Sequence, residues 1–259
     1  MMKSSIDKKD SAAVLHHAGW DHLKPPKPDA AKFAVTGHES QVVTLQIGVG
    51  EACQGEAGTM MYLSPGMRQS VTYEGCCQRC CSGESCFVVN FTNSGSTGNH
   101  EFVALTPNFP TAKVVPVDLS SPDVGGKLVA QQGAYMASYG DVRVGISLDT
   151  NCMRCCCAGL GLVRQKLEGS GTVFLGGTGT IVQKVLADGE TILVDTNCIM
   201  AFASTCKLDL KRAGGILGMV GGGEGIFNTT LTGPGLVVVQ SMNETVFREA
   251  LATQKIYRR

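Results

Sequence analysis

The chain has 259 residues, of which 43% are hydrophobic and 17% charged, enough apolar material for a sizeable core and a balance that excludes global disorder. Its 22 basic and 22 acidic residues cancel, so overall charge draws it neither to nucleic acid nor to anionic lipid. With 33 glycines, 9 prolines and one tryptophan, the composition predicts an all-β protein of short strands joined by turns.

No apolar run approaches the roughly 20 residues that span a bilayer. The N-terminus lacks the apolar core of a secretory signal, and Asp7, Asp10, Asp21 and Asp29 count against a mitochondrial transit peptide. Twelve cysteines without such a signal predict a reducing compartment, with the cytoplasm the expected location and the mitochondrion the alternative.

Residues 1–37 read as an N-terminal arm. It holds His16, His17 and His22, the only tryptophan (Trp20) and the proline cluster Lys24-Pro25-Pro26-Lys27-Pro28, with His38 at its edge. Ser11 to Trp20 has the length of one short helix, which the prolines end. Leu15 and Trp20 are expected to pack on the body or on a partner.

Residues 38–246 read as a triplicated β domain, with repeats over about 41–117, 125–187 and 188–245, followed by a tail over 247–259. Two short patterns carry this reading. Gly58-Thr59-Met60-Met61-Tyr62-Leu63 matches Gly133-Ala134-Tyr135-Met136-Ala137-Ser138 and Asn197-Cys198-Ile199-Met200-Ala201-Phe202. The first residue of each tolerates positive φ, and the strand after it points Met61, Met136 and Met200 the same way. The second pattern opens at Gly83, Gly169 and Gly223 and reaches Thr92, Thr178 and Thr232 nine positions later.

In chain order, Val42 to Ile47 alternates at period two as a strand does, and Ser64-Pro65-Gly66 is a turn. Strands are expected at Val71–Tyr73, Phe87–Phe91 and Phe102–Leu105. Further strands follow at Lys127–Val129, around Met136, and at Val142–Leu148. Ile181–Leu186 leads into Asp188-Gly189, a hairpin signal. Ile192–Val194, the Met200 strand, Cys206–Leu210 and Leu236–Gln240 complete the set, and Thr245 to Leu251 reads as helical.

Each repeat places a variable loop at a corresponding point, and these loops are unusually apolar. They hold Cys76, Cys81, Cys156, Cys157, Leu160, Leu162, Val163, Ile216, Leu217, Met219 and Val220, a composition that marks a contact surface. Cys77 and Cys80, and again Cys152 and Cys155, have zinc-ligand spacing and would complete a four-thiolate site if their loops met. The third loop is filled with Gly, Ile, Leu, Met and Val instead, which favours cysteine as a small apolar side chain. Metal binding and lipidation or redox chemistry stand as alternatives. Catalysis has little support: there is no Gly-x-Ser-x-Gly elbow and no phosphate loop of Walker type, and His100 is the one histidine well inside the repeats. Glu84 and Glu224, at matching positions, read either as an acid/base pair or as turn-capping carboxylates.

Gly223 to Met242 (GEGIFNTTLTGPGLVVVQSM), Gly50 to Met67 (GEACQGEAGTMMYLSPGM) and Gly83 to Thr92 (GESCFVVNFT) together resemble the altered-inheritance-of-mitochondria protein twenty-four family and its bacterial relatives. That resemblance implies three tandem subdomains similar to the tryptophan RNA-binding attenuation protein, each a short double-stranded β-helix. It supplies no catalytic residue. The mitochondrial member's association with inner-membrane organisation implies a scaffold. The expectation is therefore a non-enzymatic, homo-oligomeric assembly protein without cofactor, docking on a membrane surface or protein partner through its loops. The alternatives are a metal- or small-ligand-binding module using Cys77, Cys80, Cys152 and Cys155, with zinc as the metal, and an RNA-binding module.

Overall fold

The structure is a computed structural model that describes residues 15–22, 32–73, 87–109, 112–148, 163–212, 227–242 and 247. The arm contributes a helical turn at 15–17, β1 (Asp21–His22) and β2 (Phe33–Thr36). The body begins with β3 (Val42–Ile47), β4 (Ala52–Glu56), β5 (Met60–Leu63), β6 (Met67–Tyr73), β7 (Phe87–Asn93) and β8 (Glu101–Leu105). Next come β9 (Ala112–Asp118), β10 (Lys127–Ala130), β11 (Tyr135–Tyr139), β12 (Val142–Leu148) and β13 (Val163–Gly169). β14 (Thr172–Leu186) is the longest, and β15 (Thr191–Val194), β16 (Ile199–Ala203), β17 (Lys207–Arg212), β18 (Phe227–Thr232) and β19 (Gly235–Met242) follow. The described chain is all-β, and the strands pair antiparallel.

Alternation in sequence becomes alternation in burial. In β3, Val43, Leu45 and Ile47 are fully buried while the residues between them reach the surface. The core forms two clusters. One gathers Val43, Leu45, Ile47, Cys53, Val89 and Phe91 with Met136 and Phe174. The other gathers Leu128, Leu167, Ile181, Met200, Leu231 and Val237 with their neighbours, and Trp20 packs against it. Trp20 thus packs on the body as expected, and the described residues of the arm pair with it: β1 with β14, β2 with β3, and Phe33 meets Phe174 edge-on at 4.9 Å.

The pairings follow one order. Over residues 42–105, β3 pairs with β8, β4 with β7, β5 with β8 and β6 with β7. Over 112–178, β9 pairs with β14, β10 with β13, β11 with β14 and β12 with β13. Over 178–242, the second half of β14 pairs with β19, β15 with β18, β16 with β19 and β17 with β18. β14 therefore serves two groups, changing partners at a register shift between Thr178 and Ile181. Glycine allows the close packing there: a Cβ on Gly177 would stand 2.7 Å from Ile181 Cδ1 and 2.9 Å from Met200 Sδ. Two further pairings, β4 with β11 and β10 with β16, join the groups.

Met61, Met136 and Met200 hold one position: each falls in a register shift, between Met60 and Tyr62, Tyr135 and Ala137, and Ile199 and Ala201. Their surroundings differ, for Met136 and Met200 are buried while Met61 is 60% exposed. Three expectations are corrected. Gly58 and Gly133 have positive φ before these strands, but Asn197 lies in a short 3-10 turn with negative φ, capped by the Asp195 carboxylate. Gly169 does not open a strand like β7 or β18; it ends β13, and Ser170 and Gly171 donate their amides to Asp141 O. Asp188-Gly189 makes a turn, with Glu190 N on Ala187 O, yet the strands it joins belong to different sheets and do not pair as a hairpin.

A charged cluster fastens the arm to the β4–β11 junction. Lys32 Nζ donates to Glu51 Oε1 at 2.7 Å and to Tyr139 Oη at 2.7 Å, and Tyr139 Oη donates to Glu51 Oε2 at 2.6 Å. Lys32, then Tyr139 and the Gly48 amide, hold the Glu51 carboxyl down at about 2, while Lys32 is raised by the same bonds. The side chains are about half exposed, so solvent screens the pair and its worth is modest.

Because Glu51 titrates below the ordinary 4.5, its contribution is complete above that pH and is lost as pH falls through about 2. Glu51→Gln should lower Tm by about 1–2 °C at pH 7, and the difference should close on acidification, read by thermal melts across pH. Gly169→Ala should cost about 3 kcal/mol in urea unfolding, since φ is +140° there and a Cβ would strike the Asp141 carbonyl oxygen.

Candidate functional site: three loop-bearing hairpins

Each variable loop connects a pair of hydrogen-bonded strands. The last paired residues before the loops are Tyr73 and Phe87 on β6 and β7, Leu148 and Val163 on β12 and β13, and Arg212 and Phe227 on β17 and β18. β6, β12 and β17 are each the end strand of a pairing order. Edge strands invite further pairing unless polar residues blunt them, and Arg68 and Gln69, Arg143, and Lys207 and Asp209 do so here.

The first hairpin shows its chemistry most fully. From Arg68 to Tyr73 every residue of β6 is exposed, whereas β7 sends Val89 and Phe91 into the core. Val71 is 57% exposed, Tyr73 64% and Phe87 50%, and the two rings meet edge-on with centroids 5.8 Å apart. Large apolar side chains stay in water here, against the hydrophobic driving force, at the base of a loop. Sequence reading placed the contact surface in the loops and missed these three residues, although Val71-Thr72-Tyr73 and Phe87 flank the loop directly.

Cys76, Cys77, Cys80, Cys81, Cys152, Cys155, Cys156, Cys157, Leu160, Leu162, Ile216, Leu217, Met219 and Val220 lie outside the described residues, as do Glu84 and Glu224. Val163 is placed as the first residue of β13, opposite Leu148. The hairpins bearing the Cys77/Cys80 and Cys152/Cys155 loops occupy opposite ends of the ten-strand pairing path. Among the described residues, no group of three or more His, Cys, Asp or Glu side chains is placed to hold a metal ion.

The described cysteines behave as small apolar groups. Cys53 and Cys206 are buried and Cys198 half-buried, and all three are free thiols. Burial pushes the Cys53 thiol up to about 12 and Cys206 to about 11; Cys198 is raised by burial and then by Asp195. Such thiols carry little thiolate at neutral pH and make poor nucleophiles. Glu101 sits in a polar cluster, accepting from Ser64 Oγ and from Thr97 Oγ1 at 2.5 Å. Those bonds, with the Gly66 amide, lower its carboxyl below the usual range. An acceptor-saturated carboxylate of this kind fastens a loop and is poorly suited to take a proton. Among the described residues no helix is long and apolar enough to cross a membrane.

The chain is 29% identical over 171 residues to the uncharacterized protein M6_Spy0233 of Streptococcus pyogenes serotype M6, a match covering 66% of this chain and 64% of that relative. Its fold is similar to the crystal structure of protein SPYM3_0169 from Streptococcus pyogenes, with a TM-score of 0.65 at 23% identity over 86% of this chain and 98% of the other. Residues 33–242, from β2 to the end of β19, match the family model described as mitochondrial biogenesis AIM24, and the chain belongs to that family.

Proposed function

We propose that this chain is a non-catalytic assembly protein, built from three copies of one six-strand unit, which docks through its hairpin ends. The unit runs over 42–105, 112–178 and 180–242, and the strand registers support it. Val43 and Met60 both stand opposite Leu105, Val115 and Tyr135 opposite Leu175, and Val182 and Ile199 opposite Val239. The sixth strand of each unit is thus held between the first and the third at one matching residue. Repeated units of this size bury a continuous core only by stacking, which is what the β4–β11 and β10–β16 pairings accomplish. A tandem arrangement about a pseudo-threefold axis, similar to the tryptophan RNA-binding attenuation protein, is the architecture this reading assigns.

The observation that carries the docking role is the exposed Val71, Tyr73 and Phe87 at the base of the first loop. Aromatic and aliphatic side chains exposed at a strand end suit an interface with a membrane surface, where amphipathic rings settle at headgroup depth. A protein partner is the other target the same patch would take. The family's description, mitochondrial biogenesis, is consistent with an assembly role.

Vesicle flotation tests this. Wild-type protein should float with phosphatidylcholine vesicles largely independently of salt, since its net charge is zero. Tyr73→Ser/Phe87→Ser should partition at least about tenfold less, from the lost burial of two rings. Equal flotation of both proteins would remove the hairpin as the contact. Failure of both to float would remove the membrane and leave a protein target.

A further inference from the structure

The charges of the chain cancel over its whole length but not over its parts. The six strands that carry the variable loops, β6, β7, β12, β13, β17 and β18, hold seven basic residues and two acidic ones. The rest of the chain carries the balancing acidic excess, since 22 residues of each sign are present overall. The three hairpins thus form a positive local field that the net charge of zero does not report.

Strand alternation places these charges on one face. Each hairpin runs without a shift in register, so every second residue points the same way. The inward positions are fixed by Val89 and Phe91 in the first hairpin, Val144 and Leu167 in the second, and Leu208 and Leu231 in the third, all packed in or against the two core clusters. Val71, Tyr73 and Phe87 continue that inward register past the core, toward the loop. The alternate positions hold Arg68, Arg143, Lys166 and Lys207, with Glu168 and Asp209 as the acids. Arg68, Arg143 and Lys207 are exposed and, among the described residues, enter no ion pair. Glu168 is held by Lys166 at 2.9 Å and by Lys127 of β10 at 3.3 Å, with Arg143 opposite it on β12, so one carboxylate stands among three cations.

The free cations come from three separate hairpins and do not converge on one point, which suits an extended anionic surface rather than a compact anion. Equivalent points about a rotation axis stand at one height along it, so a pseudo-threefold arrangement lets all three hairpins meet a flat surface together. Exposed apolar side chains on the same hairpin as Arg68 favour lipid over nucleic acid, because a polyanion in water offers them no burial.

We propose that the surface met by the hairpins is an anionic phospholipid membrane, its phosphates contacted by Arg68, Arg143, Lys166 and Lys207 while Tyr73 and Phe87 enter the headgroup layer. This rests on the docking role and the six-strand unit of the preceding subsection, and it names the lipid class. A basic residue close to an anionic surface strengthens binding by about fivefold, and the attraction is screened over about 10 Å at 0.1 M salt.

Flotation of the full chain on pure phosphatidylcholine vesicles, and on vesicles that also contain phosphatidylglycerol, tests this. Phosphatidylglycerol should raise binding at least about tenfold at low salt, and high salt should remove the gain. Arg143→Ser/Lys207→Ser should lose at least about tenfold of that gain, while matching wild type on pure phosphatidylcholine and in its circular dichroism spectrum. No gain with phosphatidylglycerol, or a gain that the double variant keeps, would overturn the proposal. Inorganic phosphate should release the protein no better than chloride of the same ionic strength; selective release would overturn it in favour of a discrete anion site. Retention on bulk RNA without a gain on phosphatidylglycerol would overturn it in favour of nucleic acid. Pure phosphatidylcholine reads the aromatic contact alone, so failure here is separable from failure of the hairpin docking.

Discussion

The obligation of every buried backbone amide and carbonyl to find a partner organises this molecule, and β14 is where it is felt most. One continuous strand satisfies β9 and β11 along its first half and β19 along its second. The change of partner needs a local shift of register, and Gly176, Gly177 and Gly179 are the residues that tolerate the crowding on either side. The strand also faces both core clusters, with Phe174 in one and Val173 and Leu175 in the other.

The same obligation sorts the edges. Strands that carry the variable loops present arginine, lysine or aspartate along their free side, which water satisfies and another strand would have to desolvate. β5 and β15 present methionine, tyrosine and leucine instead. Met61 in water and Met136 and Met200 in the core stand at one and the same kind of register shift, and the two buried methionines lie on strands paired on both sides. Burial of such a side chain is worth roughly 1.5–3 kcal/mol, so leaving one exposed beside an unprotected edge is a substantial free-energy gap.

Several of the described thiols and carboxylates are taken up by burial or by hydrogen bonds. The three thiols there are raised by burial, and two carboxylates, Glu51 and Glu101, spend their oxygens on lysine, tyrosine, serine and threonine donors. These groups hold loops and the arm in place. The aromatic pair at the end of β6 and β7 is a different matter: its rings meet across the two strands and still remain half or more exposed.

Much of this was legible in sequence because β-structure writes itself locally. The alternation from Val42 to Ile47, the glycines before the methionine strands and the turn at Ser64-Pro65-Gly66 each depend on residues within a few positions of one another. Gly169 was misplaced because a glycine that ends one strand and a glycine that begins another look alike until their hydrogen bonds are known. Asp188-Gly189 misled in the same way, being a turn whose flanking strands choose their partners far along the chain in β18 and β19. The sequence by itself determined an all-β chain and many of its strands and turns, though not β2, β4, β9 or β13. Only the tertiary structure decided which strand meets which, how Lys32, Glu51 and Tyr139 come together across 88 and 107 residues, and which methionine is left in water. The physical reason is that backbone pairing is indifferent to side-chain identity at short range. Partner choice is set by which faces must be buried together, and that is a property of the whole chain.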